Sequence, residues 1–109
     1  MVEIREYLDL AGRSPFGVWR QLLDVPARKK VTTAIYRLGL GNFSNVKGVG
    51  GGVFECKIDF GPGYRVYFGK DGEQSVILLA GGTKKRQQQD IQTAAERWRE
   101  YQARKKQGE

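Results

Sequence analysis

Two turn signals, Gly61-Pro62-Gly63 and Asp71-Gly72, cut the stretch from Val53 to Ala80 into three apolar runs, each too short for a helix. Proline presets φ for an early turn position, and glycine enters the left-handed region without a Cβ penalty. Three strands joined by two hairpins satisfy both signals. A three-residue first loop sets Phe60 opposite Tyr64, Ile58 opposite Val66 and Cys56 opposite Phe68, an apolar set on one side. The other side then pairs Asp59 with Arg65 and Lys57 with Tyr67. A two-residue turn would slip the register by one and carry Arg65 onto the apolar face, so the longer turn is preferred. The run from Ser75 to Ala80 is apolar on both faces and reads as an interior strand.

That strand is expected to end at Gly81-Gly82, with Thr83 capping a helix that opens with Lys84, Lys85 and Arg86. In this helix Ile91, Ala94, Ala95, Trp98 and Tyr101 form one stripe, read as core packing over the sheet. The charged residues after Tyr101 are expected to fray. Upstream, Val2 to Leu8 reads as a first strand with Val2, Ile4 and Leu8 inward. A turn at Ala11-Gly12-Arg13 leads to Ser14-Pro15, a cap followed by proline at the first helical position. Phe16, Trp19, Leu22 and Leu23 recur at helical spacing after it. Pro26 opens a second helix whose Val31, Ala34, Ile35 and Leu38 share a face, leaving Arg28, Lys29, Lys30 and Arg37 polar. This helical hairpin is expected to cover Cys56, Ile58, Phe60, Tyr64, Val66 and Phe68.

Gly39, Gly41 and Asn42 end the second helix, and five glycines fall between Gly41 and Gly52 inclusive. The segment lacks the lysine-serine or lysine-threonine ending and the helix of a nucleotide loop. A connector or short edge strand is the plainer reading, a phosphate cradle the other. The whole, residues 1–109, reads as one α+β domain of order β-α-α-β-β-β-α. Its four-stranded sheet is mainly antiparallel, with the helical hairpin on one face and the last helix near the other.

Lone Cys56 and the absence of histidine exclude an internal disulfide and a zinc constellation, so no metal or cofactor is expected. No apolar run approaches a membrane span, and Met1 leads into a charged strand rather than a signal peptide, so a cytoplasmic protein is expected. The net charge of +7 favours a polyanionic or acidic partner. Lys57, Arg65 and Tyr67 from neighbouring strands, with Lys84, Lys85 and Arg86 after the last strand, gather a cationic surface with one phenol. Cleavage of RNA through its 2′-hydroxyl needs a base, stabilisation of a dianionic phosphorane and a proton for the leaving oxygen. Without histidine, arginine and lysine must supply the electrostatics, and a lysine, a tyrosine or a partner must move the protons. The plainer readings stand beside this one: a cross-strand Arg65–Asp59 ion pair, a solvated helix end at Lys84 to Arg86, a packed Tyr67.

The run GPGYRVYF, followed by LLAGGTKKRQQQDI after a short hairpin, resembles the RelE/ParE superfamily of toxin–antitoxin killer proteins, in its phage-Gp49/HigB-like branch. SPFGVW and RLGLGNFSNVKGVGGGVFE also match that pattern, so the resemblance spans nearly the whole chain. It implies a ribosome-dependent mRNA endonuclease acting in the A site, growth arrest through translation inhibition, and a cognate antitoxin, of helix-turn-helix type, in complex with it. By residue-level match, Arg65 takes the arginine of the GYR motif and binds the scissile phosphate. Lys84 takes the lysine of GG-x-K-x-x-Q and makes a second phosphate contact or transfers a proton. Lys57 stands where relatives carry the arginine of an E-L-R segment, keeping charge but losing the planar fork. Tyr67 would stack on an exposed base, and Lys85 and Arg86 would hold flanking phosphates. Gln87 and Asp90 match the motif as structural residues. The alternatives are a ParE-like DNA gyrase inhibitor without nuclease activity and a non-catalytic nucleic-acid-binding module.

Overall fold

A computed structural model describes residues 1–108. It shows strand β1 (Glu3–Glu6), helices α1 (Pro15–Gln21) and α2 (Val25–Gly39), and strands β2 (Val46–Gly50), β3 (Val53–Ile58), β4 (Tyr64–Asp71) and β5 (Ser75–Thr83). A single 3-10 turn (Lys84–Arg86) then leads into helix α3 (Gln87–Gln107). The sheet has five strands in the order β1-β5-β4-β3-β2, with β1 parallel to β5 and the other neighbours antiparallel. The α+β class and the two-sided layering hold. The expected four-stranded sheet is corrected by β2, which the glycine-rich segment forms along one edge.

Ser14 accepts from the Gly17 amide, with Pro15 starting α1, and Asp24 caps α2 in the same way through Ala27. The hairpin of α1 and α2 buries Phe16, Val31 and Leu38 against Cys56, Ile58, Val66, Phe68, Val76 and Leu78. Leu22 departs from its expected place: α1 stops at Gln21, leaving Leu22 at the C-cap and 82% exposed. On the opposite face α3 lays Ala94 and Trp98, with Ile91, Ala95 and Tyr101 around them, over Val53, Tyr67, Ile77 and Leu79. Tyr7, not Leu8, points inward from the first strand, and it joins this second core. Its amide donates to the Leu78 carbonyl at 2.9 Å, and the turn that Asp9 caps then peels the chain away.

The first hairpin is two residues out of the expected register. Ile58 stands opposite Tyr64, Cys56 opposite Val66 and Lys57 opposite Arg65, with Asp59 to Gly63 as the loop. Two tight turns inside that loop, Phe60 N–H to Ile58 O and Gly63 N–H to Phe60 O, each 3.0 Å, take up the extra residues. Because side chains alternate with a period of two, a slip of two changes every pairing and keeps every face. The apolar set therefore still meets the helical hairpin. Asp59, in the loop, has no cross-strand position opposite Arg65.

β5 does not stop at Gly81. A bulge between its pairs Phe68–Leu78 and Tyr67–Ala80 leaves Leu79 and Ala80 both in the α3-side core, and the strand continues to Thr83. Arg97 of α3 donates to the Leu79 carbonyl at 2.8 Å and ties down the irregularity. Beyond the bulge the faces are reset. The ring of Trp19 lies against Gly81, where a Cβ would stand 2.1 Å from it, and the Asp90 carboxylate lies against Gly82, where a Cβ would stand 1.9 Å away. The two glycines are slots inside a strand rather than its end.

α3 also runs further than expected, to Gln107, while Glu109 lies outside the described residues. Asp71, at the end of β4, holds this last part of the helix. It accepts from Tyr101 Oη at 2.6 Å and from Lys105 Nζ at 2.5 Å, and Arg5 Nη2 donates to Tyr101 Oη at 2.9 Å. The hydrogen bonds from Lys105 and Tyr101 hold the Asp71 carboxyl below the usual aspartate range. A carboxyl depressed in the folded state contributes stability above its unfolded value and loses it as pH falls through the folded one. Asp71→Asn is expected to melt at a lower temperature than the parent at neutral pH, the difference closing below the ordinary carboxylate range. Melting curves of both proteins across acid pH check this.

Candidate active site

The α3-facing side of β3 and β4 carries Glu55, Lys57, Arg65 and Tyr67, and the register brings Lys47 of β2 opposite Glu55. Arg65 and Glu55 are diagonal neighbours, and the Arg65 Nε to Glu55 Oε1 distance is 2.5 Å. Both side chains are almost wholly buried, at 7% and 1% exposure. Gln87, in the first turn of α3, donates its Nε2 to the same Oε1 at 2.8 Å, and Lys47 Nζ lies 3.7 Å from Oε2. Three elements thus converge on one carboxylate.

This network uses only part of its own capacity. Arg65 Nη1 and Glu55 Oε2 are buried with no hydrogen-bond partner among the described residues. An arginine offers five N–H donors, and a buried one left unused is costly unless a ligand takes it. Lys57 stands directly opposite Arg65 on the same face, a like-charge pair that disfavours the sheet. With Ser44, Asn45 and Val46 these groups line a cleft of about 290 Å³. Lys84 reaches the same neighbourhood over the first hairpin. Its amide donates to the Gly63 carbonyl at 2.8 Å, and a Cβ on Gly63 would lie 3.5 Å from both Arg65 Nη1 and Lys84 Cβ. Gly63, at φ +82°, permits that approach.

Of the residues singled out from sequence, Arg65 and Lys57 line the cleft together, while Lys84 borders it through its backbone and Cβ and is exposed. Lys85 and Arg86 are exposed in the 3-10 turn, ahead of α3 rather than within it, and Thr83 makes no side-chain cap. Tyr67 shares that face, directly opposite Glu55, but is fully buried beneath α3, where burial pushes its phenol well above the usual tyrosine range. It offers no face to a base. The Asp90 carboxyl, raised by burial in the Gly82 slot against the pull of Arg86 and Arg97, backs this region from α3. Burial likewise pushes the Cys56 thiol up to about 11, leaving it unreactive.

Glu55 and Lys47 are the members that motif spacing did not bring forward. Glu55 carries the one available signal, an acid alternating with apolar Val53 onto a buried face, where a carboxylate must find a cation. Lys47 had none, since the glycine-rich segment reads equally as a connector or a short edge strand, and its pairing with β3 decides for the strand.

Residues 19–99 match the family model described as phage-derived protein Gp49-like (DUF891). An uncharacterized protein of Haemophilus influenzae is 44% identical over 80 residues, covering 72% of this chain and 81% of that protein. The matched segment includes both hairpins and every residue of the cleft. The chain belongs to the phage-derived Gp49-like family, a toxin-like family of the RelE/HigB type.

Proposed function

We propose that this protein is the toxin of a type II toxin–antitoxin module and acts as an endoribonuclease on mRNA in the ribosomal A site. The observation that carries the reading is the buried Arg65 guanidinium, fixed by Glu55 and left with Nη1 unpaired in the cleft that Lys57 lines. Such a group is held in place before substrate arrives and stabilises charge that develops on a phosphate without reorganising. In this reading Lys57 and Lys84 neutralise the non-bridging oxygens, and Lys85 and Arg86 hold flanking phosphates.

The 2′-hydroxyl gives its proton to a base of the ribosomal partner as the O2′–P bond forms, because Glu55, 1% exposed and paired with Arg65, is closed to substrate. The P–O5′ bond breaks, and the leaving oxygen takes a proton from the Lys84 ammonium. The products are a 2′,3′-cyclic phosphate and a 5′-hydroxyl end, and exchange with water restores Lys84 and the base. Tyr67, buried against α3, supports the strand that carries Arg65 and takes no part in these transfers. The ribosome holds the message in a reactive bend, so proximity supplies much of what a site without histidine lacks. An antitoxin with acidic and apolar groups over the cleft would silence it.

Cleavage mapping of a defined mRNA, with and without programmed ribosomes, tests the proposal. Cuts within the A-site codon that end in cyclic phosphate are expected with ribosomes. Glu55→Gln, which keeps an oxygen facing Arg65 but loses the charge that fixes it, is expected to lower the cleavage rate by about 10²-fold through misplacement of the guanidinium. A folded protein that makes no cuts removes the nuclease reading, and supercoiling by DNA gyrase becomes the activity to assay.

A further inference from the structure

A second cleft, of about 330 Å³, lies between α2 and β3, and Ser44, Asn45 and Lys57 are walls of both clefts. The shared Lys57 is a bridge from one to the other. The connecting loop is tied to the sheet at this point: the Lys57 amide donates to the Asn45 carbonyl at 3.1 Å, and the Ser44 amide donates to Asn42 Oδ1 at 3.1 Å. Asn42 and Asn45 are exposed, and the Asn42 amide nitrogen and the Asn45 carboxamide make no hydrogen bond among the described residues. Lys30 and Arg37 stand on the α2 wall, and Asp59 of the hairpin loop adds a carboxylate to the lining, outnumbered by Lys30, Arg37 and Lys57. Arg37 has no carboxylate partner among the described residues, and Lys30 sits 5.3 Å from the centre of the Phe60 ring.

Cations and carboxamides together suit a nucleotide. The cations answer a phosphate, and a carboxamide presents paired donor and acceptor to a base edge, the part by which single-stranded RNA is read. An acidic protein segment would use the same groups; continuity with the first cleft through Lys57 is what favours RNA. We infer that the α2–β3 cleft is the subsite for the RNA nucleotide next to the scissile phosphate, with Arg37 and Lys30 on its phosphate and Asn42 and Asn45 on its base. This rests on the reading of the first cleft as the place of RNA cleavage. It makes α2 a determinant of which sequences are cut.

The test is binding of a fully 2′-O-methylated single-stranded RNA of about ten nucleotides, which cannot be cleaved, to the whole protein. Arg37 and Asn42 are exposed and outside the cores, so Arg37→Ala leaves the fold in place and Asn42→Ala gives up only the turn bond from the Ser44 amide; Arg37→Gln serves as a second, milder charge removal. Arg37→Ala is expected to bind about five- to tenfold more weakly and to lower the salt slope by about one. Asn42→Ala is expected to alter the preference among oligonucleotides of different base content. Unchanged affinity and slope in both arginine variants would overturn the subsite. So would a dependence on Arg37 seen only with an oligoglutamate peptide, which would assign the cleft to an acidic protein partner. Arg37-dependent RNA binding by a protein that makes no ribosomal cuts would remove the nuclease reading and overturn the subsite as one beside a scissile phosphate, leaving the cleft a plain RNA-binding site.

Discussion

Arg65→Met is expected to cost about 3–5 kcal/mol of stability, because it strands the Glu55 carboxylate in a site where that side chain is only 1% exposed. The double variant Glu55→Met/Arg65→Met should recover most of the loss, since a buried ion pair replaced as a unit by apolar side chains of similar size is often neutral. Urea denaturation of the parent, the single and the double variant measures this directly. Both variants should be inactive in ribosomal cleavage, and the folded double variant would separate lost chemistry from lost structure. A double variant as unstable as the single one would show that Arg65 is held by something other than Glu55. The experiment matters for the toxin reading, since loss of toxicity on changing Arg65 alone would report unfolding as readily as chemistry.

The second large effect lies behind the site. Trp98 is 6% exposed, stacks on Tyr101 with ring centroids 5.3 Å apart, and lies flat on Gly69 of β4, where a Cβ would come within 2.3 Å of its ring. Trp98→Ala is expected to destabilise by about 3–5 kcal/mol through the cavity it leaves. Gly69→Ala pushes the same ring off the sheet, at about 1–3 kcal/mol. Because the two changes act on one contact, their combination should cost clearly less than the sum, as the smaller side chain at 98 makes room for the new methyl. Thermal melts of the four proteins provide the cycle. Strict additivity would mean that Trp98 is anchored mainly elsewhere, for instance through its edge at Gly52.

Side chains also settle onto two glycines of β5, and these contacts bear on how much of the molecule is legible in the sequence. Gly81-Gly82 was a reasonable strand end on local grounds, since glycine weakens strands. In the folded chain Gly81 receives Trp19 from one face and Gly82 receives Asp90 from the other. Nothing within a few residues of either glycine announces these visitors. The same holds for the first hairpin. The alternation that placed Cys56, Ile58, Val66 and Phe68 on one face was sound, yet it could not separate registers that differ by two, because both keep that face. The cost of that ambiguity fell on the charged residues: Arg65 lost its supposed partner Asp59 and gained Glu55.

Short-range chemistry determined what the sequence alone could determine. Ser14-Pro15 starts α1, Asp71-Gly72 turns the second hairpin, and alternation divides β3 and β4 into an apolar side and a side bearing Lys57 and Arg65. Each needs only φ preferences, a cap or a two-residue period, all carried by neighbours in the chain. The tertiary structure alone decided that Val46–Gly50 would pair as an edge strand and that Tyr67 would vanish beneath α3. It also decided that Glu55, Gln87 and Lys47 would meet around Arg65. Those outcomes depend on which distant surface comes to lie against each residue, and burial by such a surface is what turned a phenol into core and a carboxylate into the anchor of the site.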